Sequence, residues 1–285
     1  MAGLGAKDTF TGAIMSVDVA IEIPLSFASM RLKKAAVHKS RILFLDIETA
    51  PNVAFVWGLF DQNISHNQVK TSSYVLCWAA KWEGRSAMQF DSIHRSSKRQ
   101  MLKRIHTLLN EADIVVHYNG NKFDTPTLNK EFVKADMLPP APFKQVDMLR
   151  VCRQVFRFES NKLDSITQSL AIGRKVKHHG FELWVDCMNG NDKAWAIMER
   201  YNKQDVTLLE KVYHRLLPWI AQHPLLRLCL NQLACPKCGS KRTQRRGCVA
   251  TRAASFYRFQ CLHCGGWFRS SKKVHTFKGE QGINI

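Results

Sequence analysis

Asp46 and Glu48 close the apolar run Arg41-Ile-Leu-Phe-Leu-Asp-Ile-Glu48. A run this short and branched reads as a buried central strand. Strand side chains alternate, so positions two apart share a face. Two carboxylates on one face repel each other, and burial makes both harder to ionise. A bound cation is the simplest relief, although the pair alone fits a solvated strand end equally well. Asp124 follows the glycine-containing stretch His117-Tyr-Asn-Gly-Asn-Lys-Phe-Asp124 at a helix start, where an N-terminal cap is also an adequate reading. Tyr201 and Asp205 stand i and i+4 on one face of a late helix. Each of those two, taken singly, reads as a core aromatic or a surface acid. His117 reads as a core or loop histidine.

A second constellation is softer. Cys235-Pro-Lys-Cys238-Gly and Cys261-Leu-His-Cys264-Gly are matched knuckles separated by twenty-two residues. Four thiolates at this spacing suit one tetrahedral, structural Zn²⁺, and the glycines permit the tight turns that knuckles need. His263 lies inside the second knuckle and reads as a non-ligand, while Cys248 lacks a paired partner. A module this small cannot bury enough core alone, so the metal is expected to supply folding free energy. Cys77, Cys152, Cys187 and Cys229 lie among apolar neighbours and read as buried thiols.

Charge points to a partner. The formal net charge is +19, from 42 Lys+Arg against 23 Asp+Glu. From Ala221 onward twelve Lys/Arg meet a single acid, Glu280. Such an excess calls for a polyanion, of which nucleic acid is the usual one. Arg245, Arg246, Arg252, Arg258 and Arg269 are expected on an exposed face near Phe256, Tyr257, Trp267 and Phe268, where they can track phosphates and stack bases. Phe259 and Trp267 are expected to form the module's own small core.

The elements that must position these groups follow from periodicity. Strands are expected at 41–48, 74–82, 87–93 and 113–117. Helices are expected at 97–109, 124–133, 147–156, 162–171 and 192–219, the last ending near Pro218. Strands first, then alternation with helices, predicts an α/β layered fold. Residues 1–40 read as a weakly structured N-terminal extension with Met15 and Met30 as alternative starts. Residues 41–222 read as the main domain and 223–285 as a basic zinc ribbon. No apolar run reaches the ~18–20 residues of a membrane span, and the N-terminus lacks a signal-peptide pattern. Paired cysteines of metal-binding type suggest a reducing, cytoplasmic setting.

Order and spacing together say more than the parts. The segments Phe44-Leu-Asp46-Ile-Glu48-Thr-Ala-Pro51, Asn119-Gly-Asn-Lys-Phe123-Asp124 and Tyr201-Asn-Lys-Gln-Asp205 resemble the motifs of the DEDD (DnaQ-like) 3′→5′ exonuclease superfamily, in its tyrosine-bearing subgroup. The histidine-bearing subgroup places His five residues before the last Asp, where this chain has Arg200. The resemblance spans about 41–217. It implies an RNase H-like core, a mixed five-stranded sheet flanked by helices. It also implies that Asp46, Glu48, Asp124 and Asp205 hold two divalent cations, Mg²⁺ or Mn²⁺, while Tyr201 orients the attacking water. Asn119 is expected among the nucleic-acid contacts. The implied activity is phosphodiester hydrolysis from 3′ ends, with DNA favoured over RNA. An RNase H-like endonuclease or ribonuclease, or a non-catalytic binder on the same scaffold, are the alternatives. No polymerase-like segment accompanies the motifs, so a replication or repair partner is left unassigned.

Overall fold

Strand β1 (Ile42–Thr49) is apolar on both faces, and Ile42 to Leu45 together with Ile47 are buried. Only a central strand covered on both sides gives such a run a place to go. The chain, a computed structural model, is described for residues 40–221, 223–224, 233–251 and 254–276. The N-terminal extension with its alternative starts, Cys229 and Arg252 lie outside the described residues. After β1 come a short hairpin of β2 (Val53–Ala54) and β3 (Val69–Thr71), then β4 (Val75–Trp82) and β5 (Met88–Ser92). Helix α1 (Lys98–Glu111), β6 (Ile114–His117), α2 (Asp124–Lys134), β7 (Lys144–Asp147) and α3 (Met148–Val155) follow. Then come α4 (Leu163–Ser169), α5 (Glu182–Met188) and the long α6 (Asp192–Leu216).

The five-stranded sheet has the order β5-β4-β1-β6-β7. β1 runs antiparallel to β4 and parallel to β6, so the sheet is mixed as expected. Alternation along β1 sends Ile42 and Phe44 to a core shared with α3, α4 and α6. Leu43, Leu45 and Ile47 go to the opposite face, against α1 and α2. α1 begins in a capping box between Ser97 and Gln100 and buries Met101, Leu102, Ile105, Leu108 and Leu109 as one stripe. α6 starts at Asn191, whose Oδ1 accepts from Lys193 N at 3.0 Å and Ala194 N at 3.2 Å.

The differences from the expected elements have local causes. β7 is half exposed and reads Lys-Gln-Val-Asp, too short and polar to register as a strand. The helix expected from Asp147 therefore starts one residue later, with Asp147 as its cap. The helix expected at 162–171 is shorter, Leu163–Ser169, and Glu182–Met188 forms a helix that periodicity over seven residues cannot announce. α6 stops at Leu216 and passes into a 3-10 turn, Leu217–Trp219, because Pro218 has no N–H to continue it.

A separate three-stranded sheet, β10-β9-β8, is built from β8 (Thr243–Ala250), β9 (Ala254–Cys261) and β10 (Trp267–Thr276). Phe256 and Phe259 are buried in it, and Phe259 stacks on Phe268 at 5.5 Å. Trp267, expected in this core, is instead 47% exposed. Register explains the correction, because Phe268 lies opposite Phe259 and its neighbour Trp267 takes the other face. Lys237, buried between the knuckles, donates from Nζ to Pro218 O at 2.5 Å just beyond α6.

The same end of α6 holds a buried histidine. His223 Nδ1 lies 2.8 Å from Pro224 O, which can only accept, so Nδ1 carries the proton. Nε2 then accepts from Tyr213 OH at 2.8 Å. Burial lowers the His223 pKa to about 4. Unfolded His223 binds a proton near its ordinary ~6.5, so its stabilisation is present above that value and is lost as pH falls toward 4. The loss amounts to roughly 3 kcal/mol at full protonation. Thermal melting from neutral to about pH 4.5 should fall more steeply for the wild type than for His223→Gln. Parallel curves would show that this site does not couple to folding.

Candidate active site

β6 pairs with β1 only from Ile42 to Phe44. Beyond Phe44 that edge of β1 is open, and Ile47 N donates instead to Asp124 Oδ1 at 3.2 Å. Asp124 is thus the first residue of α2 with its carboxylate turned back to β1, while Phe123 holds the cap position. The capping reading of Asp124 is set aside by that geometry. Asp46 and Glu48 flank the same amide. Asn202 Nδ2 of α6 donates to Asp46 Oδ2 at 2.6 Å, and the Trp184 indole of α5 donates to Glu48 Oε2 at 3.2 Å.

Asp205, one helical turn beyond Tyr201, completes the arrangement. Oxygens of Asp46, Glu48 and Asp205 lie within 4.8 Å of one another. Asp124 does not fall inside that distance, so three of the four expected acids form the tight cluster and the fourth stands beside it. Asp205 Oδ1 is buried without a hydrogen-bond partner among the described residues. Tyr201 is buried with its ring edge-on to His178 at 4.9 Å and Trp184 at 6.0 Å.

Lys175 is the functional side chain that sequence patterns miss. It lies in an irregular segment, Gly173-Arg-Lys-Val-Lys-His-His179, with no periodicity to single it out. Its backbone N–H is fixed by Asp164 Oδ1 at 3.0 Å. Its Nζ donates to Asp205 Oδ2 at 2.5 Å and to Tyr201 OH at 3.1 Å. Burial works against the ammonium, and the Asp205 carboxylate with Tyr201 overrides it, holding the Lys175 pKa above its usual value.

The acids shift in the same direction, and for them a raised pKa disfavours the charged form. Burial, then the charges of Glu48, Asp124 and Asp205, raises Asp46 well above the carboxylate range. Burial and then Asp205 push Glu48 to about 8. Burial brings Asp124 to about 7. Asp205 is raised by burial although Lys175 opposes it. Such a set is short of positive charge, and hard carboxylate oxygens with one orphaned atom suit Mg²⁺ or Mn²⁺. A cavity of about 550 Å³ opens on the cluster, with Asn119, Arg153, Asn161 and Lys162 on its walls.

The loop before Asp124 is held by Asp147, which accepts from Asn119 N at 2.9 Å and Asn121 N at 3.3 Å. That clamp accompanies a left-handed Asn119, φ +71°. His117 is fully buried, as a core histidine should be, and its Nδ1 accepts from Gly120 N at 3.0 Å. A side chain at Gly120 would meet that ring at 2.3 Å, so glycine is required there.

A family model described as the RNase_H superfamily matches residues 43–217. The chain belongs to that superfamily. Its mixed five-stranded sheet and flanking helices are the RNase H-like fold that the motifs led one to expect. A family B DNA polymerase from Pyrobaculum calidifontis is similar at 16% identity and a TM-score of 0.48, over 63% of this chain and 25% of the polymerase. The chain thus spans a quarter of that protein's length. No curated protein matches the sequence.

Beyond the RNase H-like core, one sulfur atom from each of Cys235, Cys238, Cys261 and Cys264 gathers within 4.8 Å. Gly239 and Gly265 take φ +72° and +76°, closing each knuckle by N–H bonds to Cys235 O and Cys261 O. Burial opposes ionisation of Cys261, yet backbone N–H groups of Cys264 and His263 bring its pKa down to about 7. Neither His263 nor the exposed Cys248 joins the cluster. Four convergent sulfurs fit a tetrahedral Zn²⁺. Arg245, Arg246, Arg258 and Arg269 are all exposed. Arg245 lies over Tyr257 at 4.7 Å, Arg258 over Trp267 at 5.3 Å and Arg269 over Phe256 at 3.8 Å. Among the described residues no helix is long and apolar enough to cross a membrane.

Two metal-linked outcomes are expected. Without divalent cation, folded Glu48 and Asp124 hold protons up to about 8 and 7 that the unfolded chain releases near 4. Their stabilisation is therefore complete at acid pH and is lost as pH rises through 7 to 8. Added Mg²⁺ should raise the melting temperature more at about pH 8.5 than at about pH 6, and not at all in Asp46→Asn. Equal increments at both pH values would exclude cation binding at these acids. Separately, elemental analysis should find one Zn per chain, lost in Cys261→Ser with melting of the C-terminal sheet.

Proposed function

We propose that this chain is a 3′→5′ exonuclease of the tyrosine-bearing DEDD type, hydrolysing phosphodiester bonds of nucleic acid, DNA before RNA. The observation that carries the reading is the part-buried Asp46–Glu48–Asp205 cluster, with its unpartnered Asp205 Oδ1, one helical turn from the Tyr201 hydroxyl. In this reading Asp46, Glu48 and Asp205, with Asp124 beside them, hold two divalent cations. Bound there, such cations lower the pKa of water and neutralise charge on the transferred phosphoryl group.

The chain's own residues supply placement. Burial keeps Tyr201 a protonated phenol, so its O–H can donate to and orient the attacking water. Asn202 and Trp184 fix the rotamers of Asp46 and Glu48. Lys175 stands beside Asp205, where its ammonium can turn from that carboxylate to a non-bridging phosphate oxygen. Arg153 and Lys162 on the cavity wall bind the phosphates behind the scissile bond, and Asn119 contacts the terminal nucleotide. Water oxygen joins phosphorus, the P–O3′ bond breaks, and the departing oxygen takes a proton. The products are a nucleoside 5′-monophosphate and a strand shorter by one. Residues 41–222 carry this chemistry. Residues 223–285 form a zinc ribbon whose exposed Arg245, Arg246, Arg258 and Arg269 grip the backbone; Arg252 belongs to the same basic set by sequence alone.

Digestion of 5′-labelled single-stranded DNA and RNA, with free and blocked 3′ ends and with Mg²⁺ or Mn²⁺, tests the reading. Stepwise shortening only from free ends is expected. Asp46→Ala or Asp205→Ala should abolish it, and Tyr201→Phe should slow it about a hundredfold while sparing binding. Cutting of a closed circular strand would assign an endonuclease instead, and unchanged cleavage by Asp46→Ala would end the proposal.

A further inference from the structure

The hairpin of β2 and β3 leaves large apolar side chains in solvent. Val53 pairs with Thr71 and Ala54 with Val69, leaving residues 55–68 as its tip. Within the tip Trp57 is 100% exposed, Leu59 87%, Phe60 84% and Phe55 68%. None of them joins any of the hydrophobic clusters of the fold. Hydrogen bonds between its two arms hold the tip in shape. Phe55 N donates to Gln68 O at 2.8 Å, Gln68 Nε2 to Phe55 O at 3.1 Å, and Ser65 N to Gln68 Oε1 at 3.0 Å. Exposed polar residues, Asp61 to Asn63 and Ser65 to Asn67, share the tip, but three solvent-facing rings within six residues have no place in the core, and exposed apolar surface of this kind marks a binding surface.

Its position selects the occupant. Four residues, 49–52, separate Glu48 from Val53. The root is tied to two of the three elements that carry acids of the site. Ala50 N, just past β1, donates to Tyr74 O at 2.8 Å, and Lys130 Nζ of α2 donates to Ser73 O at 2.9 Å. Lys70 Nζ lies 5.9 Å over the Phe55 ring, which puts a positive charge beside the patch on a chain of net charge +19. We propose that Phe55, Trp57 and Phe60 are a stacking platform for the unpaired bases of a single-stranded nucleic acid whose 3′ end lies at the carboxylates. The polarity of that strand rests on the nuclease reading; the stacking does not. Solvent-facing rings can stack only on bases free of a complement, and they do so with little regard to sequence. The enzyme would thereby hold frayed or single strands and pass over intact duplex.

Binding of fluorescent dT20 and U20 to the full chain, followed by anisotropy without added Mg²⁺ or Mn²⁺, tests the platform apart from turnover. Trp57→Ala with Phe60→Ala should weaken binding of at least one of the two about tenfold or more. Trp57→Phe should keep most of the affinity, and melting should be unchanged because these rings lie outside the core. Affinity for both probes within twofold of wild type overturns the proposal. If sedimentation then shows self-association that the double variant lacks, a second copy of this chain covers the patch. Stacking-dependent binding by a chain that cleaves nothing would sink the nuclease reading and leave the platform standing.

Discussion

Carboxylates whose oxygens lie within 4.8 Å of each other, behind a sheet edge and a long helix, repel strongly enough that the fold must answer them. Two answers are available to the same atoms. One is protonation, visible in the raised pKa values of Asp46, Glu48 and Asp124. The other is positive charge, supplied in part by Lys175 at 2.5 Å from Asp205. A divalent cation would compete with both answers, since it brings positive charge to the same carboxylates. In the proposed reading the site holds an electrostatic deficit that cation and polyanion would fill together: cations would neutralise the acids, and Lys175 could then turn to the phosphate. Arg153 and Lys162 stand on the same cavity and extend that positive field along the path of the strand.

Everything in this arrangement passes through α6. Its middle turns carry Tyr201, Asn202 and Asp205, and its far end leads into Pro218, whose carbonyl receives Lys237 from between the knuckles. Cys238 and Cys264 pack against the same apolar cluster that holds Val212, Tyr213 and Leu216 of the helix. The hard, open carboxylate site and the soft, closed thiolate site are thus two stations on one rigid rod. Division by ligand chemistry keeps them from competing, because thiolates select Zn²⁺ and carboxylates select Mg²⁺ or Mn²⁺.

The features legible in the sequence are those with a local period or a fixed spacing. β1 announces itself because apolar residues fill both faces, and α1 because its five buried residues repeat on one face. The knuckles announce their own partners. Asp46, Glu48 and Asp205 were legible through strand alternation and helix spacing combined in a known order, and the structure brings those three together. Asp124 was legible as a candidate site residue but ambiguous as a cap, and only the open edge of β1 beyond Phe44 shows where its carboxylate turns. Lys175 and Trp184 were not legible. Each reaches the acids from a loop or a seven-residue helix, so its place depends on tertiary packing that leaves no mark on its neighbours. Trp267 was misplaced for a related reason: its face follows from the register with β9, which composition does not encode.

The two surfaces suited to nucleic acid differ in what they recognise, and the difference follows from side-chain chemistry. On the C-terminal sheet three exposed arginines, Arg245, Arg258 and Arg269, lie over rings, 3.8 to 5.3 Å from guanidinium to centroid. Those rings are occupied by cations from the same chain, so that face presents charge and reads phosphate. At the β2–β3 tip the Lys70 ammonium lies 5.9 Å over Phe55, while Trp57 and Phe60 present π surface to solvent. That face reads bases. A duplex offers phosphates everywhere and base faces nowhere except at frayed ends, so a chain bearing both surfaces binds duplex through one and gains the second only at an unpaired end. Discrimination for ends then arises from additive binding at two separated surfaces, without any residue that recognises a terminus as such.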